Sequence, residues 1–184
     1  SEGLIEFTGT FGSTGGRRPT IISLASKSFI SIGAEISSSM IRFTAIDLLG
    51  ERIGATRIMR RFQDAPAYFE SFAANLETFL NQNGIERRYI TGVGNSLPGI
   101  ISLDSKLLET APTLGVTQFP LSRFSEALPY PCLFDNDASA GGFAEQFGRD
   151  ERKTMAYLSI EKGVGGAVFI DGKPYDGLNR RSAE

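Results

Sequence analysis

Histidine is absent from this sequence, and cysteine occurs once, at Cys132. Without histidine there is no ordinary general base near neutral pH, no His-based catalytic triad and little means of building a zinc centre. The single cysteine excludes an intrachain disulfide. It sits in the apolar run Pro131-Cys132-Leu133-Phe134 and reads as a buried free thiol in a reducing compartment. No apolar run of membrane-spanning length and no signal-peptide pattern occurs, which points to a cytoplasmic, soluble protein with no membrane partner. Net charge is only −2, so the bulk of the surface is neither a nucleic-acid nor a membrane face. What remains is 184 residues, 41% of them hydrophobic, enough for a real core in one or two domains.

The hydrophobic pattern alternates between strand and helix periods. Leu4 to Phe7 and Thr20 to Leu24 read as short strands. Phe29 to Ala34 is a strand, Met40 to Asp47 its hairpin partner, and Arg52 to Arg60 a third strand. Asp64 is expected to cap a helix from Ala65 to Asn83, whose Phe69, Phe72, Ala73, Leu76, Phe79 and Leu80 follow helical spacing and which Gly84 stops. Tyr89 to Gly94 is the next strand, leading into Asn95-Ser96-Leu97-Pro98-Gly99. A short helix from Leu121 to Leu128 precedes the strand at Pro131, and strands at Met155 to Ile160 and Gly166 to Ile170 follow. Antiparallel strands, then helix, strand, helix, strand, give an α/β layered fold with a mixed sheet.

The chemistry concentrates in Phe134-Asp135-Asn136-Asp137-Ala138-Ser139-Ala140-Gly141-Gly142. The apolar strand delivers two carboxylates and an amide to its C-terminal end, and small helix-compatible residues follow at once. An amide donates and accepts hydrogen bonds while a carboxylate takes a hydroxyl proton, so the pair can bind and deprotonate a polyol. The plainer alternative is that Asp135 or Asp137 only caps the helix.

Two turns could hold phosphate. Ser31 to Ser39 places Glu35 and a run of serines between two hairpin strands. Glu161-Lys162-Gly163-Val164-Gly165-Gly166 places glycines and a cation between two others. Near the N-terminus, Gly12-Ser13-Thr14-Gly15-Gly16-Arg17-Arg18-Pro19 is a glycine-rich hairpin tip. Its two arginines can contact DNA phosphate or enter a minor groove, or simply lie solvated.

Taken in order, the acid-bearing hairpin, Ser96-Leu97-Pro98-Gly99, Asn136-Asp137 and Gly163-Val164-Gly165-Gly166 resemble the ROK family. These are bacterial sugar kinases and sugar-responsive repressors with the actin-like, ribonuclease H-like ATPase fold. The resemblance implies a mixed sheet with flanking helices, a sugar held by Pro98, Gly99, Asn136, Asp137 and Glu184, and Asp137 as catalytic base if the protein is a kinase. Nucleotide phosphates and Mg-ATP would then meet Glu35, Ser37, Ser39, Lys162, Gly163, Gly165 and Gly166. It divides the chain into 1–26, the remnant of a winged-helix wing whose Arg17 and Arg18 contact DNA; 27–134, a first lobe; and 135–184, the start of an incomplete second lobe. A helix-turn-helix on operator DNA, a homodimer or tetramer, and a zinc loop beyond Glu184 are further implications.

Departures from the family pattern bear on activity. Glu35 replaces an Asp, Ser37 and Ser38 replace glycines, and Lys162 replaces a Thr. Thr113 stands where a sugar-loop Asn is common, and Arg180 and Ala183 replace glycines beside Glu184. Serine takes positive φ less readily than glycine. The expectation is a non-catalytic sugar-sensing domain of a transcriptional regulator of carbohydrate metabolism. The alternative is an ATP-dependent sugar kinase for a hexose or N-acetylhexosamine.

Overall fold

The computed structural model describes residues 3–10, 20–147, 154–160, 164–175 and 177. Strands β1 (Ile5–Thr10) and β2 (Thr20–Leu24) form an antiparallel ribbon. Then come β3 (Ile30–Ile36), β4 (Met40–Ile46) and β5 (Arg52–Met59), helix α1 (Pro66–Gln82) and β6 (Ile90–Leu97). Three short strands follow, β7 (Ile100–Ile101), β8 (Leu107–Ala111) and β9 (Val116–Pro120), and a short helix α2 (Ser122–Glu126). The chain continues through β10 (Cys132–Asn136), α3 (Asp137–Gln146), β11 (Met155–Ile160), β12 (Val164–Ile170) and β13 (Lys173–Pro174).

The central sheet has the order β10-β6-β3-β4-β5. Strands β3, β4 and β5 are an antiparallel meander, whereas β6 joins β3, and β10 joins β6, in parallel. Period-two alternation puts Ile30, Ile32, Ala34 and Ile36 of β3 on the same buried face as Ile41, Phe43 and Ala45 of β4. Helix α1 covers that face with Tyr68, Phe69, Phe72, Leu76, Phe79 and Leu80, spaced for one side of a helix. Its rings lock with Phe43 and with Phe124 of α2, Phe72 lying 5.3 Å from Phe43 and 5.2 Å from Phe124 between centroids. Each buried aromatic of this kind contributes about 1.5–3 kcal/mol by leaving water.

The ends of α1 separate one expectation from another. Gly84, at φ +63°, stops the helix as expected. Its N–H donates to Asn81 and the Ile85 N–H donates to Leu80, so two otherwise orphaned carbonyls are satisfied. Asp64, however, does not cap the start. The residue in the capping position is Ala65, without a side-chain bond, and Pro66 opens the helix. Asp64 instead accepts from Arg123 at 2.6 Å, tying α2 to the base of α1.

Residues 100–120, which carry no clear periodicity, fold as a separate antiparallel sheet, β7-β8-β9. Leu108, Ala111 and Phe119 of this sheet join the main core, with Phe119 against Phe62 and Phe69. The link into it is Pro98-Gly99, where Gly99 has φ +109° and a Cβ would lie 2.2 Å from the Thr110 carbonyl. Only glycine fits there. A third sheet, β11-β12-β13, packs under α3. Close approach is possible because a Cβ on Gly142 would stand 2.4 Å from the Phe169 ring and one on Gly141 2.7 Å from the Tyr157 hydroxyl.

Candidate functional site

Strands β3, β6 and β10 run parallel, so their C-terminal ends share one edge of the central sheet. In open α/β sheets, ligands bind outside that edge. It brings together Glu35, the Pro98-Gly99 link and the Asn136-Asp137 pair. The β8–β9 turn, which contains Thr113, belongs to the sheet that Gly99 packs against.

Asn136 is the hub. Its Oδ1 accepts from the N–H groups of Ala138 at 2.8 Å and Ser139 at 3.2 Å, and its Nδ2 donates to the Gly99 carbonyl at 2.8 Å. Neither Asp135 nor Asp137 caps α3; Asn136 does. Both lone pairs of the amide oxygen are engaged, so the side chain can offer a ligand one remaining N–H. The same amide therefore fixes the distance between the helix start and the Pro-Gly link. Asp137 opens α3 with an exposed carboxylate, at the end of the helix where backbone N–H groups favour negative charge.

The β3–β4 turn is built differently. Strand β3 extends through Ile36, so Glu35 lies within the ladder opposite Arg42, and the pair forms a salt bridge at 2.8 Å. In the turn, the N–H and hydroxyl of Ser37 both donate to the Met40 carbonyl. The carbonyls of Ser38 and Ser39 accept from Phe62 and Arg60, strapping the turn to the chain after β5. None of Ser37, Ser38 and Ser39 takes positive φ.

The sheet face opposite α1 carries a feature that sequence reasoning missed. Register aligns Asp135, Ser96, Glu35, Arg42 and Arg57 as one row across all five strands. The neighbouring row is Leu133, Gly94, Gly33, Thr44 and Ala55. Part of both rows, with Ala140 and Phe143 of α3, lines a cavity of about 580 Å³. A Cβ on Gly33 or Gly94 would meet nothing closer than 3.8 Å, so packing within the sheet does not demand these glycines. The signal was the repeated Gly-x-polar spacing in Gly33-Ala34-Glu35 and Gly94-Asn95-Ser96.

On the opposite face of the sheet, Asn95 is buried and its Nδ2 donates to the Leu133 carbonyl at 3.2 Å, tying β6 to β10. Burial raises the Cys132 thiol pKa, partly opposed by a hydrogen bond from Asn95. The thiol is free and half-buried, less enclosed than the sequence suggested.

Of the second glycine hairpin, Gly165 and Gly166 lie in β12, and a Cβ on Gly165 would be 3.3 Å from the Ala138 methyl. That strand thus passes beside the first turn of α3. Lys162, Gly163, Arg17, Arg18, Arg180, Ala183 and Glu184 lie outside the described residues. Among the described residues, no group of three or more His, Cys, Asp or Glu side chains could hold a metal ion, and no helix is long and apolar enough to cross a membrane.

Known proteins are similar to this chain in sequence and fold. The xylose repressor of Bacillus subtilis (strain 168) is 27% identical, covering 100% of this chain and 48% of its own length. A glucokinase of Halalkalibacterium halodurans is 26% identical and covers 83% of this chain and 48% of its own length. The fold superposes on a ROK family transcriptional regulator, a homologue of the E. coli MLC protein, with TM-score 0.76 and 18% identity. That match covers 100% of this chain and 47% of the regulator. The chain spans about half the length of the curated relatives it matches. A model of the ROK family matches residues 31–184, and the mixed sheet has the actin-like ATPase fold of that group: the chain belongs to the ROK family.

Proposed function

We propose that this chain is the sugar-sensing part of a ROK-type transcriptional regulator and does not transfer phosphate. The observation that carries the reading is the extent of the matches. The repressor and the regulator align over the whole chain, whereas the glucokinase covers 83% of it and the family model begins at residue 31. The β1–β2 ribbon thus lies before the part that the family model matches.

The site supports the same reading. A magnesium nucleotide needs a free carboxylate and open N–H groups at the β3–β4 turn. Glu35 is paired with Arg42, and Ser37 uses its N–H and hydroxyl on Met40, so the first hairpin fits that group poorly. The sugar edge is intact. Asn136 holds Gly99 and the start of α3 in register, and the exposed Asp137 carboxylate, whose Oδ1 also accepts from the Ala138 N–H at 2.8 Å, accepts from a sugar hydroxyl. Pro98 and Glu184 complete the proposed sugar contacts, and Arg17 and Arg18 the proposed DNA contacts. Sugar binding biases the DNA-binding unit between two states of different operator affinity.

Calorimetric titration of the full-length protein with D-xylose, D-glucose and N-acetyl-D-glucosamine in the presence of Mg-ATP tests this. A saturable isotherm without sustained heat is the expected outcome, and Asp137→Ala should abolish it. Sustained heat proportional to protein would establish a sugar kinase instead, with Asp137 as base and the Gly165-Gly166 strand beside the phosphates.

A further inference from the structure

Helix α3 carries the sugar edge at one end and touches a different structure at the other. Its ten residues span about 15 Å. Phe147 follows the last turn, its N–H donating to Phe143 and Ala144. Its ring lies on Gly50, in the turn between β4 and β5: a Cβ on Gly50 would stand 2.6 Å from Phe147 Cε1. Gly50 has φ +81°, so glycine supplies both the turn conformation and the seat for the ring.

That turn is stiff. Asp47 Oδ1 accepts from the N–H groups of Leu49 and Glu51 at 2.9 and 3.0 Å, and the Gly50 N–H donates to the Asp47 carbonyl. The turn is also bound to the foot of the β1–β2 ribbon. The Leu48 N–H donates to the Ser26 carbonyl at 3.1 Å, and the Ser26 hydroxyl bonds the Asp47 carboxylate, holding its pKa below the usual value. One residue earlier, the Ala25 N–H donates to the Leu4 carbonyl at 2.9 Å, closing the base of the ribbon.

We propose that α3 is a connecting rod, through which sugar binding at Asn136 and Asp137 shifts the foot of the N-terminal ribbon by way of Phe147, Gly50 and Ser26. The inference rests on the sugar-sensing reading of the α3 start. Each link is a direct contact, and the ring on Gly50 is the joint: it is seated or it is not. Such a joint can have two discrete arrangements, which coupling between distant sites requires. The turn is joined to the ribbon foot by the Leu48–Ser26 backbone bond as well as by the Ser26 hydroxyl on Asp47, so no single side-chain change severs that link, and Phe147 is where the path can be cut without touching the site.

Hydrogen–deuterium exchange on the full-length protein, with and without saturating D-xylose, D-glucose or N-acetyl-D-glucosamine, tests the rod. In the parent protein, the sugar that binds should slow exchange at residues 136–140 and also at 47–50 and 24–28, the remote segments by about 5-fold or more. Phe147→Ala should keep the protection at 136–140 and reduce the remote effect to under about 2-fold. Phe147→Tyr, which restores the ring, should recover it. Gly50→Ala should unseat the ring from the other side and behave like Phe147→Ala. Undiminished remote protection in Phe147→Ala overturns the rod while the sugar site stands. If no sugar protects residues 136–140 in the parent protein, the sugar-site reading fails and the rod falls with it.

Discussion

The β3–β4 turn and the β10–α3 junction stand at the same edge of the central sheet, yet they use their polar groups in opposite ways. Beside the turn, the Glu35 carboxylate pairs with Arg42 across the ladder, and in the turn the Ser37 hydroxyl is turned back on its own hairpin. At the junction, one amide organises two backbone segments, and the Asp137 carboxylate faces solvent. A site is recognised by what its polar groups leave available as much as by which residues are present. The turn's polar groups are spent within its own hairpin and ladder, whereas the Asn136 amide at the junction joins backbone segments on either side of it.

The sharpest way to break the junction is Gly99→Ala. The added Cβ must displace the Thr110 carbonyl at a backbone angle that alanine resists, so a loss of about 2–4 kcal/mol in urea unfolding is expected, together with loss of sugar binding. A near-neutral result would mean that the Pro-Gly link is not the rigid element described here. Asn136→Ala should cost about 1–2 kcal/mol through the lost helix cap. Asn136→Asp is more telling, because it keeps the capping oxygen and replaces the donor to Gly99 with an acceptor. It should retain most of the helix stability and lose sugar affinity; unchanged affinity would show that the amide's tie to Gly99 is irrelevant to the ligand. The smallest effect belongs to the turn. Glu35→Gln removes a partly exposed ion pair and leaves Arg42 opposite Arg57, which should cost under about 1 kcal/mol and leave sugar affinity unchanged. A large change in affinity would show the turn to be part of the working site.

Much of this architecture was legible in the sequence because period-two and period-3.6 patterns report burial directly. Strands β3 and β4 alternate cleanly, and α1 shows an apolar stripe closed by Gly84. Residues 100–120 were silent because β7 has two residues and β8 carries apolar Leu107 and Leu108 on opposite faces, so neither shows a period. Asp64 misled because a favourable capping residue stood one position too early and Arg123, distant in sequence, claimed it. For the site, Asn136-Asp137 and Pro98-Gly99 were readable as types, but their tie was not. A hydrogen bond from Asn136 to the Gly99 carbonyl depends on strand register, and so does the polar row from Asp135 to Arg57.

The strand order also dictates when the site comes into being. Strands β3, β4 and β5 are neighbours in sequence and in space, joined by tight turns, so they and α1 can form from local contacts as the chain emerges. Strand β6 reaches β3 only by a crossover through α1, and β10 must then find β6 past a whole small sheet. The edge that gathers Gly99, Asn136 and Asp137 therefore depends on contacts between segments distant in sequence, which cost more loop-closure entropy to form than the β3–β5 meander. A ligand held there bridges segments distant in sequence, so its binding energy slows the opening of that seam as well as stabilising the whole fold.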